Sequence, residues 1–314
     1  MRILFLGTPD FAVPTLDALH REHEVILAVA QPDKPAGRGM KMQVPAVAVR
    51  ARELGIPLLQ PPKVRSVEFL DAMRELAPDI GVVIAYGKIL PAALLEIPRH
   101  GFLNVHASVL PRWRGAAPIQ RAIEAGDRVT GVTIMRVDEE LDHGPMLAIE
   151  TLEIGADERT PGLAKRLSIL GAEALLPVLR DVERGTAVET PQEHDKATLA
   201  PKIEKSEGAV TFEETTAAIY NRFRAFDPWP GVAFGEVKLT ELRPVEDRQS
   251  CLSGQAGSPV PHQPRTVLSI DDDVVIATSD GAIRILEMQR PGKPRTPAGA
   301  VARGLGWRAG ERLP

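Results

Sequence analysis

From residue 1 to about residue 180 the chain alternates short, unbroken apolar runs with longer segments whose apolar residues recur every three or four positions. A strand buried on both faces must be apolar throughout, whereas a helix lying on a sheet needs only one apolar stripe. The alternation therefore specifies parallel strands joined by crossover helices. Ile3-Leu4-Phe5-Leu6 predicts a first strand ending at Gly7, the segment from Pro9 to about His20 carries Phe11, Leu16 and Leu19 at near-helical spacing, and Val25 to Ala30 predicts a second buried strand. Together they make a βαβ unit. Further strands are predicted at Ile80 to Ala85, Leu103 to His106, Val132 to Val137 and Met146 to Leu152. Helices are predicted around Val44 to Leu54, Val67 to Leu76 and Ala117 to Ala125, and a last one from about Pro161 to Glu183.

Polar residues take over between Gly185 and Lys205, which marks a connection between domains. A helix-like stretch near Glu213 to Ala225 follows, then short β-like runs at Val237 to Leu242, Val267 to Ile270, Val274 to Ala277 and Ile283 to Met288, the pattern of a small barrel or open sheet. The stretch from Glu246 to Pro264, rich in Ser, Gly, Pro and Gln, predicts a long exposed loop. The expected division is 1–185 for the α/β domain, 186–206 for the linker and 207–314 for the β domain.

Composition narrows the class further. With 44% hydrophobic and 25% charged residues a disordered or fibrous chain is excluded, and a formal charge of −4 excludes binding of a polyanion by bulk charge. Any contact with nucleic acid must be local. The single cysteine, Cys251, allows no internal disulfide and no cysteine metal cluster, which fits a reducing cytosol. The apolar run at Ile3 to Leu6 is far too short for a secretion signal or a membrane span, so a cytoplasmic location away from membranes is expected.

The first strand-to-helix turn, Gly7-Thr8-Pro9-Asp10-Phe11-Ala12, lacks the second and third glycines of a dinucleotide fingerprint, and no phosphate-cradling G-x-x-x-x-G-K-[ST] occurs. The informative region is Phe102 to Gly115. There an apolar strand runs into Asn104 and His106, which are two residues apart and so project from the same side of an extended backbone. Asn can donate to an oxyanion and His can donate or carry a proton, so the pair suits attack on a carbonyl carbon; it would equally serve as a hydrogen-bonded strand end. Asp142, in the polar stretch Val137 to Met146, could orient His106 or take a proton through it, or could simply satisfy backbone amides in a turn with Gly144-Pro145. Phe226 and Trp229 read as packing anchors in a rigid proline turn. His20, His23, His100, His194 and His262 lack the spacing of metal ligands, and His143 could support Asp142.

Charge is uneven along the chain. Residues 34 to 52 hold Lys34, Arg38, Lys41, Arg50 and Arg52 with no carboxylate, and residues 284 to 314 hold seven basic residues against Glu287 and Glu311. Either segment could clamp phosphates, and the first could equally be a solvated loop.

Asn104-Val105-His106, the run from Ser108 to Ile119 and Leu141-Asp142-x-Gly144 together resemble the formyltransferase family that uses 10-formyltetrahydrofolate. Gly7 to Ala12, Gln31 to Gly39, Ala85-Tyr86-Gly87 and Ala225-Phe226-x-Pro228-Trp229-Pro230-Gly231 are similar to the members of that family acting on methionine carried by initiator tRNA. The resemblance is strong over residues 1 to about 180 and looser beyond. It implies a Rossmann-like, mostly parallel sheet domain followed by a small OB-like β-barrel that contacts tRNA. It also implies catalytic roles for Asn104, His106 and Asp142, folate contacts at Ser108, Val109, Leu110 and Pro111, and a pterin pocket lined by Ile84, Tyr86 and Gly87. Lys34, Arg38 and Lys41 would contact the tRNA, with Arg38 the foremost. The implied reaction moves a formyl group from the folate to the α-amine of the methionyl initiator tRNA, without metal or redox cofactor, in a monomeric cytoplasmic enzyme. A formyltransferase acting on a small amine would share the three catalytic residues but would need neither the basic segment nor the second domain. A formate-releasing hydrolase and a catalytically silent nucleic-acid-binding module remain further readings.

Overall fold

The computed structural model describes residues 1–36, 41–245 and 263–314, which form two compact units. The first comprises residues 1–119, 129–153 and 162–201. In chain order its elements are β1 (Arg2–Gly7), α1 (Val13–Glu22), β2 (Glu24–Val29), a small hairpin of β3 (Lys34–Ala36) and β4 (Lys41–Gln43), α2 (Ala46–Glu53) and β5 (Leu58–Leu59). Then come α3 (Val67–Leu76), β6 (Ile80–Ile84), α4 (Ala92–Leu95), β7 (Phe102–His106), β8 (Arg114–Gly115), the start of α5 (Pro118–Glu124), β9 (Val129–Arg136) and β10 (Met146–Glu153). Most of α6 (Thr160–Arg184) and then β11 (Leu199–Ala200) complete the unit.

Its main sheet has seven strands in the order β10-β9-β7-β6-β1-β2-β5. The five from β7 to β5 run parallel, and β9 and β10 add antiparallel pairs at one edge. The mostly parallel α/β sheet expected from the alternation is thus present. Ile3, Leu4, Phe5 and Leu6 are fully buried, as both-face coverage demands. Helix α3 starts where Ser66 Oγ accepts from the Phe69 amide at 3.3 Å, and ends on Ala77 in the left-handed region. It packs Phe69 and Met73 with Phe102 of β7, Leu94 of α4 and the Tyr86 ring. On the other face of β7, Val105 meets α6 at Gly171, where any Cβ would come within 2.5 Å of the valine. The helix predicted from Pro9 begins as a 3-10 turn over Asp10–Ala12 and becomes α-helical only at Val13, with Pro14 in its first turn. The short elements β3, β4, β5 and α4 were not foreseen, being too brief to carry a period.

The second unit comprises residues 120–128, 154–161 and 202–314. It contains α7 (Thr216–Ala225), β12 (Val232–Phe234), β13 (Val237–Pro244), β14 (Val267–Ile270), β15 (Val274–Ala277), β16 (Ala282–Gln289), β17 (Thr296–Pro297) and α8 (Ala298–Gly304). The strands form one antiparallel sheet in the order β12-β13-β16-β15-β14, with β17 also pairing β16. The small β domain expected is thus present, as an antiparallel sheet. Its core gathers Phe212, Ile219, Phe223, Leu242, Ile276, Ile285 and Met288. Phe226 is fully buried, as expected, but the expectation for Trp229 is corrected: the Pro228–Pro230 turn that buries Phe226 leaves Trp229 54% exposed. Two segments upstream of residue 162 belong to this unit. Arg121 bonds Glu124 and Glu207 at 2.7 Å each, and Arg159 bonds Glu241 at 2.6 Å. The long loop predicted from Glu246 to Pro264 lies, but for its last two residues, outside the described residues, as does Cys251.

Helix α7 gives a measurable pH dependence. Thr215 Oγ1 accepts from the Ala218 amide at 3.1 Å and Asp280 Oδ1 from the Thr216 amide at 2.8 Å, so a carboxylate sits at the positive end of the helix. The Thr216 amide, ahead of its hydroxyl and Thr278, holds the Asp280 carboxyl below the ordinary value of 3.8. A folded-state value below the unfolded one means stabilisation that is present above about 4 and is lost as pH falls through the folded value. Asp280→Asn will therefore flatten the acid limb of a urea midpoint measured against pH, with the smallest difference from the parent at the acid end. An unchanged acid limb would remove the capping role.

Candidate active site

In an open parallel sheet the loops after the carboxyl ends of the strands form the crevice where ligands bind. Here the loops after β1, β2 and β6 are stitched together by side chains. Thr8 Oγ1 and Gln31 Nε2 both donate to the Tyr86 carbonyl, at 3.0 and 3.1 Å, and Gln60 Nε2 donates to the Gln31 carbonyl at 2.9 Å. The Gly7-Thr8-Pro9-Asp10 turn thus supplies a tie for the Tyr86 loop. Ala85 and Gly87 are exposed, with φ of 46° and 82°. The side chains of Ile84 and Tyr86 are 0% and 2% exposed and face the core, so this segment presents main chain to any ligand. Burial pushes the Tyr86 phenol up to about 12, and among the described residues its enclosed hydroxyl has no partner.

Asn104 and His106 project from one side of β7, as their spacing requires, and Asp142 reaches them from the loop between β9 and β10. Asn104 Nδ2 donates to Asp142 Oδ1 at 3.3 Å, and His106 Nδ1 lies 3.5 Å from the same oxygen. Asp142 Oδ2 accepts from the Gly115 amide at 2.8 Å. His106 Nε2 contacts the Trp113 carbonyl at 2.9 Å; a carbonyl only accepts, so Nε2 carries a hydrogen and Nδ1 is the ring atom turned toward the carboxylate. The side chains of His106 and Asp142 are 6% and 13% exposed, in surroundings where charge acts with little screening. Among the described residues the Asn104 amide has no bond beyond that to Asp142, which leaves one N–H and its oxygen for a reactant.

The chain is bent hard around these groups. Ala85, Trp113 and Asp142 all have positive φ, at 46°, 65° and 49°, which for a residue with a side chain costs about 1–3 kcal/mol each and persists only where other bonds fix it. Trp113 is fixed by its amide, which donates to Thr198 Oγ1 at 2.9 Å. The Ser108–Pro111 segment is fixed by two hydroxyls: Ser108 Oγ donates to the Arg112 carbonyl at 2.6 Å, and Thr133 Oγ1 takes the Leu110 amide at 3.1 Å while donating to the Ser108 carbonyl at 2.7 Å. Ser108 and Leu110 are buried, and Val109 and Pro111 are half-buried at the loop surface.

Lys34 is exposed on the β3–β4 hairpin, and Lys41 is in β4; Arg38, between them, lies outside the described residues. Lys88 was not foreseen, since nothing local distinguishes it. Its ammonium donates to the Pro62 carbonyl at 2.8 Å, and burial first, then the Lys34 charge, holds its pKa below the ordinary lysine value. Among the described residues no group of three or more His, Cys, Asp and Glu is placed to hold a metal ion, and no helix is long and apolar enough to cross a membrane.

Sequence reasoning also missed the strap that follows α6. Residues 190–200, read as part of a connector, bond to the first unit: Thr190 pairs with Met146, and β11 pairs with β8. Gln192, 4% exposed, and Thr198 hold the loops around Asp142 and Trp113. No signal local to Gln192 could reveal this, because the residues it bonds lie 48 to 78 positions away.

Residues 1–179 match the Formyl transferase family and residues 202–306 match its C-terminal domain. The chain is 45% identical over 318 aligned positions to a methionyl-tRNA formyltransferase of Thermus thermophilus, covering 100% of this chain and 99% of that one. It is 46% identical to one of Anaeromyxobacter dehalogenans, covering 97% of each. Among solved structures, a sugar 3N-formyl transferase, WlaRD, superposes with a TM-score of 0.68 at 15% identity over 94% of this chain and 99% of that one. HypX from Aquifex aeolicus in complex with tetrahydrofolic acid superposes at 0.62 and 24% identity, this chain matching 47% of that longer one.

Proposed function

The chain belongs to the formyl transferase family, and on that premise we propose that it moves the formyl group of 10-formyltetrahydrofolate onto the free α-amine of methionine esterified to initiator tRNA. The observation that carries the reading of the site is the meeting of Asn104, His106 and Asp142 on one carboxylate oxygen, at 3.3 and 3.5 Å. The α-amine attacks the formyl carbon, a C–N bond forms, and the carbonyl oxygen becomes an oxyanion. Asn104, with its remaining N–H, stabilises that oxygen where charge develops, and His106 adds to this only with a proton on Nδ1, since its Nε2 hydrogen is held by the Trp113 carbonyl. Asp142 takes the proton lost by the attacking nitrogen. As the bond from N10 to the formyl carbon breaks, that proton passes to N10, so none is consumed. Main chain at Ala85 and Gly87 supplies donors and acceptors suited to the edge of a flat heterocycle such as the pterin, with Val109 and Leu110 as apolar cover. Lys34, Arg38 and Lys41 contact tRNA phosphates. We take the protein to act as a monomer in the cytosol, which light scattering on purified protein checks for its oligomeric half.

Transfer of labelled formyl from 10-formyltetrahydrofolate to methionine-charged initiator tRNA tests the function, with charged elongator tRNA and a small aminosugar nucleotide as competing acceptors. Selective labelling of the initiator is expected; labelling of the small amine alone would keep the chemistry and overturn the acceptor. Arg38→Ala will weaken tRNA use and reduce the slope of log KM against log salt by about one, as loss of one phosphate contact should. An unaltered slope would remove Arg38 from the interface.

A further inference from the structure

We propose that Gln192 is a positioning residue for the formyl transfer: its side chain holds the backbone of Asp142 in the strained conformation that turns the carboxylate onto Asn104 and His106. The proposal rests on the assignment of Asp142 to the reaction. Gln192 Nε2 donates to the Asp142 carbonyl at 3.0 Å and to the Gly144 carbonyl at 2.8 Å, so both of its hydrogens close the Asp142–Gly144 turn. Its Oε1 accepts from Arg114 Nε at 3.1 Å and Nη2 at 2.6 Å. A side-chain amide has two donors and an acceptor with two lone pairs, and here all are engaged in a site 4% exposed.

Both ends of this bridge bear on the same reacting groups. Arg114 stands between Trp113, whose carbonyl accepts from His106 Nε2, and Gly115, whose amide donates to Asp142 Oδ2. One amide therefore joins the segment that orients His106 to the turn that carries Asp142. Asp142 has φ of 49°, a conformation a non-glycine residue keeps only under constraint, and Gln192 supplies that constraint on its carbonyl. A second contact reinforces the turn: the rings of His143 and His194 stack at 4.1 Å with planes 8° apart, and Arg114 Nη2 lies 2.8 Å from His194 Nδ1.

Gln192→Glu separates positioning from folding. The carboxylate still accepts from Arg114, now as a charge-assisted pair, but it has no hydrogens for the two carbonyls and faces them with negative charge. The expected result is a kcat lowered by about tenfold or more, with KM for folate and for charged tRNA within about twofold, since neither is touched by Gln192. The melting temperature is expected to fall but to stay well above the assay temperature, so that the folded fraction in the assay is unchanged. The Gly115 amide, protected by Asp142 Oδ2, should exchange with solvent about tenfold faster, while amides within β7 keep their rates. Gln192→Ala should show the same kinetic split with a lower melting temperature. A Glu variant with parental kcat, or one whose deficit equals its unfolded fraction, would overturn the proposal. Failure of the parent protein to formylate charged tRNA would overturn the functional reading instead, while Gly115 exchange would still report on the tie.

Discussion

Asp142→Asn will lower kcat for formyl transfer by on the order of 10²- to 10³-fold while leaving the fold and the melting temperature nearly unchanged. The substitution keeps size and shape but forces a choice on the new amide. If its oxygen stays on the Gly115 amide, 2.8 Å from Asp142 Oδ2 in the parent, its NH₂ group must occupy the place of Oδ1. There it meets Asn104 Nδ2, itself a donor, and His106 Nδ1, to which it can donate. The Asn104 amide loses its anchor, the donated hydrogen occupies His106 Nδ1, and no group is left to take the proton of the attacking amine. Single-turnover transfer measured with saturating folate reads the chemical step directly. A rate within about threefold of the parent would exclude the carboxylate from the chemistry.

Gly115→Ala should be nearly as damaging to catalysis and should also destabilise the first unit. Gly115 has φ of 127°, a region open essentially to glycine alone, and a Cβ there would stand 2.7 Å from the Ala200 carbonyl oxygen. The carbonyl belongs to the short β8–β11 pair and takes the Ala116 and Ala117 amides at 2.9 and 3.1 Å, so it cannot retreat without losing them. Backbone strain and displaced hydrogen bonds together are worth roughly 2–4 kcal/mol. The same shift carries the Gly115 amide away from Asp142 Oδ2. Thermal unfolding should show an early transition, and transfer should fall by about a hundredfold even at temperatures where the variant is folded. A variant with parental melting and parental rate would show that the loop can relax, against the close approach described here.

Much of the first unit could be read from period alone. Buried parallel strands such as Ile3–Leu6 are apolar on both faces, and α3 matches its predicted span because Ser66 caps it and Met73 and Phe69 share a face. The Asn104 and His106 pair was legible for the same reason, a strand places alternate residues on one side. Asp142 was legible only as a candidate, since a turn carboxylate and a catalytic one look alike until the fold brings β7 beside that turn. Two kinds of feature were hidden. Tyr86 lies in a segment marked by resemblance, yet its ring packs with Phe102 and Phe69 while its carbonyl does the tying, and sequence does not tell main-chain roles from side-chain ones. The strap through Gln192 and Thr198 reads as a polar connector because the bonds those two side chains make are long-range, and a polar stretch that closes a turn far upstream has the same composition as one that merely links.

The discontinuous make-up of the second unit bears on the order in which the molecule can be completed as it leaves the ribosome. Arg121 precedes its partner Glu207 by 86 residues, and Arg159 precedes Glu241 by 82. At a synthesis speed of about 5–20 residues per second these guanidinium groups wait roughly 4–17 s for their carboxylates. The first unit can close within the first 201 residues, but it does so trailing two stretches, 120–128 and 154–161, that find their lodging only when the rest of the polypeptide has been made. A ribosome stalled once residue 201 has cleared its exit tunnel should therefore carry a sheet resistant to protease and two early cleavage points within those stretches, which disappear once the full chain is released.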